Sequence, residues 1–142
     1  FAGAAADPSC NNLKILKKRT EKKKQAGAKF LQTQLIMDKK YLIRFCQEIS
    51  RPIDLPVLAG VFLLKSYKNG LFINKYVPGA NIPDEILNRL KEAKNPLEEG
   101  INIASEQVRD FIEIAEGVHI MAVKSEHLIP EIIKKAGISL EY

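Results

Sequence analysis

The sequence predicts an α/β fold made of parallel βα units, and three observations predict it. Short apolar runs alternate with longer segments whose apolar residues recur at helical spacing. The runs are apolar at consecutive positions, as in strands buried on both faces, and parallel strands need helical crossovers. Residues suited to helix starts stand in front of the helical segments.

The elements follow in order. Phe1 to Ala6 is small and apolar and runs into the turn signal Asp7-Pro8, so it is expected to be a short buried strand. Leu13 to Ala26 is rich in helix formers, with Gly27 just past its end. Phe30 to Met37 is the second strand, and Asp38 caps a helix whose apolar positions are Tyr41, Leu42, Phe45, Cys46 and Ile49. After Arg51 to Pro56, Val57 to Leu63 forms the third strand, and Ser66 to Tyr76 a short helix ended by Pro78-Gly79. Two helices then follow without a strand between them. Pro83 to Ala93 opens on Pro, Asp and Glu, and Asn95-Pro96-Leu97-Glu98 supplies a cap, a first-turn Pro and an acid three residues beyond the cap. Val118 to Val123 is the fourth strand, and Ser125 is expected to cap a last helix with Leu128, Ile129, Ile132, Ile133 and Ala136 on its inner face.

A closed (β/α)8 barrel takes about 250 residues, and four βα units in a chain of 142 residues make half of one. The expected organisation is a single domain over residues 1–142. Such a half leaves two bare strand edges and an open inner face, so a missing amino-terminal half-barrel or a second copy of the chain is the expected partner.

Composition narrows the classes. No stretch of about 20 apolar residues is present, which argues against a membrane span. Phe1 stands where Met is expected and no secretory signal follows, so the chain reads as a processed product or a piece of something longer. Two cysteines, Cys10 and Cys46, make no disulfide framework, and a reducing, cytoplasmic setting is the default. The net charge of +5 comes from one segment, Lys14 to Lys24, where seven basic residues meet a single acid. That segment holds no aromatic residue, so a solvated helix face with a phosphate contact is favoured over a nucleic-acid surface. His119 and His127 lack partners at ligand spacing, so no metal site is expected, and His119 reads as a packed strand residue.

The residues Ala4-Ala5-Ala6-Asp7-Pro8, then Lys22 to Phe30 (KKKQAGAKF), then Gln32-Thr33-Gln34 with Asp38 closing the strand, carry a family resemblance. So do Pro56 to Val61, Asn81-Ile82-Pro83 to Leu90, and Gly117 to Met121. Collinear from about Ala4 to Ile138, the chain resembles the second half of methylenetetrahydrofolate reductases, which implies the carboxyl-terminal half of a (β/α)8 barrel. The resemblance implies a (β/α)8 flavoprotein oxidoreductase of one-carbon metabolism. In that family reduced FAD delivers a hydride to methylenetetrahydrofolate, giving methyltetrahydrofolate for methionine biosynthesis.

It also implies site residues. Gln34 matches the family's folate-contacting amide, and a neutral amide suits the donor and acceptor edge of a pterin without adding charge. Gln32 shares its strand face and would add a second polar wall, whereas Thr33 points the opposite way and reads as structural. Tyr67, Asn69 and Phe72 approximate the aromatic and amide residues that stack on and bond the folate. Lys23 matches a basic position near the flavin phosphates, with Lys22 adjacent, and Asp7 falls among the flavin-contacting loop residues. The family's proton-donating Glu and the Asp beside the flavin ring belong to the amino-terminal half, so no catalytic residue is assigned here. The expected consequence is that the chain is inactive alone. The alternative is a non-catalytic, self-associating half-barrel that binds a folate or serves assembly.

Overall fold

A computed structural model of the protein describes residues 1–139. Strands β1 (Ala2–Ala6), β2 (Ala28–Leu35), β3 (Val57–Phe62) and β4 (Gly117–Met121) form one sheet in the order β1-β2-β3-β4, with every neighbouring pair parallel. Helix α1 (Leu13–Gln25) links β1 to β2, and α2 (Lys39–Phe45) and α3 (Arg51–Ile53) link β2 to β3. Helices α4 (Tyr67–Tyr76), α5 (Asp84–Glu92) and α6 (Pro96–Ile112) lie between β3 and β4, and α7 (Ile129–Lys135) closes the order. This is the α/β class expected, a parallel four-stranded sheet consistent with half of a (β/α)8 barrel.

Caps explain most of the starts. Side-chain oxygens of Asn12, Asp38, Ser66 and Asn95 accept the N–H groups of Ile15, Lys40, Asn69 and Glu98, partnering donors that the first helical turn leaves free. Ser125 departs from the expectation: its side chain makes no capping bond, and a single 3-10 turn over Glu126–Leu128 precedes α7. The second strand begins at Ala28, earlier than Phe30, because Ala28 pairs with Ala2 of β1, Lys29 falling at a register shift before Phe30 pairs with Gly3.

The sheet is packed on one face. Leu31, Val57, Ala59 and Val61 are fully buried against Leu42, Phe45, Ala104, Val108 and Phe111 of the helical layer. A second cluster of Leu35, Leu64, Ile73, Ile82, Leu87, Leu90 and Ile103 roots α4 and α5 at the end of the sheet. Each fully buried Leu, Ile or Phe contributes about 1.5–3 kcal/mol relative to exposure. The other face holds Ala5, Gln32, Leu58, Phe62, His119 and Met121, none of them buried. The expectation of a buried first strand is therefore corrected: β1 is an edge strand in which only Ala6 is buried. Lysine decorates that edge, since Lys23 Nζ donates to the Ala5 carbonyl.

Arg89 joins α5 to α6. Its Nε donates to Glu99 Oε1 at 2.7 Å, and Nη1 and Nη2 bond the two oxygens of Glu106 at 2.7 and 2.9 Å. Those hydrogen bonds, then the charges of Arg89 and Arg109, hold the Glu106 carboxyl below its ordinary value of 4.5. A depressed carboxyl stabilises the fold above the ordinary value and loses that contribution as pH falls through the lower folded value. Arg89→Ala is expected to cost about 1 kcal/mol at neutral pH, a small figure because solvent screens the half-exposed Glu106. Urea midpoints of the two proteins are expected to separate at neutral pH and converge in acid.

Candidate functional site

A cavity of about 810 Å3 runs along β1 and β2, from Gly3 and Phe30 to Asp7 and Gln34, with Leu16, Arg19 and Lys23 of α1 beside it, within the size range of small-molecule sites. Parallel α/β sheets gather ligands at the carboxyl ends of their strands, so the end of the cavity at Asp7 and Gln34 is the one this topology favours. Gln34, Gln32, Asp7 and Lys23 all line the cavity, as do Cys10, Arg19, Pro78 and Met121.

Each side chain is positioned by local structure. Gln34 Oε1 accepts the Leu35 N–H at 3.0 Å, and its Nε2 donates to the Pro78 carbonyl at 3.4 Å. The amide keeps one N–H and one lone pair for a ligand. Gln32 Nε2 lies 2.9 Å from His119 Nδ1, tying β2 to β4 across the open face. Asp7 Oδ1 accepts both the backbone N–H of Ser9 at 3.0 Å and its hydroxyl at 2.5 Å, an Asx turn that folds the loop after β1. Ser9 Oγ also reaches the Gly79 carbonyl at 3.4 Å, so the loop after α4 meets the loop after β1 above the cavity.

Arg44 fixes that mouth from behind. One of its guanidinium nitrogens donates to the Pro8 carbonyl at 3.0 Å and the Cys10 carbonyl at 2.9 Å, and the group lies 5.3 Å from the centre of the Tyr41 ring. Arg44→Met is expected to leave both carbonyls without this donor and to cost about 1–2 kcal/mol. Hydrogen exchange is the check, with Ser9 and Cys10 amides exchanging faster than in the wild type while β3 amides stay protected.

The remaining expected residues fall elsewhere. Lys22 is exposed and does not line the cavity. Asn69 accepts the Lys65 N–H at 3.1 Å and so closes the turn into α4, while Tyr67 packs partly buried beside the second cluster, 5.5 Å from Lys91 Nζ. Phe72 is exposed and its ring centre lies 4.7 Å from that of Tyr76 on the outer side of α4. None of the three lines the cavity.

Sequence reasoning missed two contributors. Arg19 stands four residues before Lys23 and so shares its face of α1, a spacing that was available to read. His119 alternates with Met121 on β4 and faces Gln32, which only the strand order reveals. Among the described residues, no cluster of three His, Cys, Asp or Glu side chains could hold a metal, and no helix is long and apolar enough to cross a membrane.

No curated protein matches the chain. A solved structure described as "Uncharacterized protein from Clostridium thermocellum binds two copies of 5-methyl-5,6,7,8-tetrahydrofolic acid" shares the fold with a TM-score of 0.70 at 18% identity. The likeness covers 96% of this chain and 54% of that one, so the chain spans about half the length of this structural neighbour. The sequence pattern described as "Methylenetetrahydrofolate reductase" matches residues 4–137, nearly the whole length. With its parallel sheet and a matching pattern that runs from β1 to the end of α7, the chain belongs to the methylenetetrahydrofolate reductase family.

Proposed function

We propose that the chain is the folate-facing half of a flavin-dependent oxidoreductase that reduces methylenetetrahydrofolate, and that it works only with an amino-terminal half-barrel. The convergence of Gln34, Gln32, Asp7 and Lys23 on one cavity carries this reading. Gln34 orients the pterin edge with its free N–H and lone pair, and Gln32 adds a second polar contact fixed by His119. A structural neighbour that binds 5-methyl-5,6,7,8-tetrahydrofolic acid supports a folate as the ligand class.

The donor set fits the phosphates of FAD. Lys23 spends one N–H on the Ala5 carbonyl and keeps two, and Arg19 stands beside it, so two cations flank the edge of β1. Bound there in its reduced form, FAD would supply the hydride. This chain's residues hold and orient: the cations neutralise phosphate charge, Asp7 keeps the loop after β1 folded through Ser9, and the strap at Pro78 covers Gln34.

Mixing the chain with an amino-terminal half from a family member, FAD and dithionite as reductant is expected to yield bound-flavin absorbance and methylenetetrahydrofolate reduction that neither half shows alone. Absence of both in a folded mixture would contradict the reading. The uncovered face of the sheet and its two free edges also favour a second reading, a self-associated half-barrel that binds folate without catalysis. Sedimentation separates the two, since a compact dimer that binds folate yet takes up no flavin supports the second.

A further inference from the structure

We propose that Thr33 and Gly60 are positioning residues that aim Gln34 into the cavity by building a bulge into β2, an inference that rests on the reading of Gln34 as a folate contact. The parallel ladder between β2 and β3 is regular through Leu31↔Val57 and Gln32↔Leu58, and it resumes at Leu35↔Gly60. Three steps along β2 therefore oppose two along β3, and one residue of β2 is extra. A bulge of this kind re-aims a side chain and leaves backbone groups without their ladder partners.

Thr33 replaces the missing partner. Its Oγ1 accepts the Gly60 N–H at 2.8 Å and donates to the Gln34 carbonyl at 2.8 Å, so the hydroxyl stands in the ladder where a backbone carbonyl would. Thr33 is 4% exposed, and a Gly60 N–H stripped of this acceptor would be buried and unpaired. Gly60 permits the close approach. A Cβ at that position would stand 2.7 Å from the Gln34 carbonyl oxygen and 2.8 Å from that of Thr33, both backbone atoms that cannot rotate aside. The bulge in turn sets the Gln34 amide, whose Oε1 takes the N–H of Leu35, the residue that restarts the ladder. The hydroxyl, the missing side chain and the amide thus form one device, with Thr33 and Gly60 acting through Gln34.

A double-mutant cycle on the full chain tests this, with 5-methyltetrahydrofolate as the titrant. Thr33→Val keeps the shape and removes both hydrogen bonds, and is expected to weaken binding about tenfold, the loss of one oriented ligand hydrogen bond. Thr33→Ser keeps the hydroxyl and is expected to bind like the wild type. In a Gln34→Ala background, Thr33→Val is expected to cost nothing further, whereas losses that add would overturn positioning in favour of a structural role. Wild-type affinity in Thr33→Val, with Gln34→Ala weakened, would also overturn it. Gly60→Ala enters the same cycle by separating the strands, and serves if Thr33→Val does not fold. An unchanged affinity in Gln34→Ala, or no binding by the wild type, would defeat the folate reading instead. The Gln34 side-chain amide of the ligand-free chain then decides positioning by NMR. Separate, ordered proton signals in the wild type and Thr33→Ser that average together in Thr33→Val support the device, and identical signals in all three reject it.

Discussion

Replacing Gly100 by alanine is expected to destabilise the protein by about 3 kcal/mol and to lower its thermal midpoint by roughly 10 °C. Gly100 is buried in α6, and a Cβ there would overlap the Leu64 carbonyl oxygen and stand 2.9 Å from the Leu64 carbonyl carbon. Both are backbone atoms at the end of the third βα strand, so no rotamer change relieves the overlap. Either α6 or the segment after β3 must move. Helix α6 carries Ile101, Ala104, Val108 and Phe111 into the main core and Ile103 into the second cluster, so a shift loosens both. Helix propensity acts in the opposite direction, because Gly→Ala inside a helix gains about 1 kcal/mol. The steric cost exceeds it. Thermal unfolding is the check, and an unchanged or raised midpoint would show that propensity outweighs contact at this site.

Gln34→Ala is expected to weaken binding of 5-methyltetrahydrofolate by about 10- to 100-fold, the range for removing one or two ligand hydrogen bonds. The fold should survive, because Gln34 is half-buried and its bonds go to Leu35 and Pro78 near the cavity mouth. Gln34→Glu adds information. A carboxylate keeps acceptor oxygens but loses the donor, so a loss as large as that of Gln34→Ala assigns the ligand contact to the N–H. Isothermal titration of the three proteins reads both outcomes.

Much of this architecture is legible in the sequence because it depends on local chemistry. The Asn95-Pro96-Leu97-Glu98 start of α6 is written in four residues, and the Asn95 side chain accepts the Glu98 N–H as that pattern requires. Asp38 and Ser66 likewise cap the helices they precede. The exposure of β1 is not legible in this way, since Ala2 to Ala6 is equally apolar whether or not another strand covers it. The bulge at Thr33 and Gln34 is hidden for a different reason. Leu31, Thr33 and Leu35 stay buried in unbroken alternation, and register belongs to a pair of strands rather than to one.

The site divides along the same line. Gln34, Gln32, Asp7 and Lys23 stand close to motif residues, and the fold gathers them at one cavity. His119 reaches Gln32 from 87 positions away, a contact set only by the order of the strands. Tyr67, Asn69 and Phe72 belong to the pair of helices inserted after β3, whose placement follows from the packing of Leu87 and Leu90 on Ile73 and Ile82 rather than from their own residue types.

Titration of the isotope-labelled chain with 5-methyltetrahydrofolate, followed by NMR, bears most directly on the claim that this cavity takes a folate. Saturable shifts are expected in the side-chain amides of Gln34 and Gln32 and in the backbone of Asp7 and Gly79, with the outer face of α1 at Lys14 and Lys18 unmoved. Shifts confined to α1, or none at millimolar ligand, would contradict it.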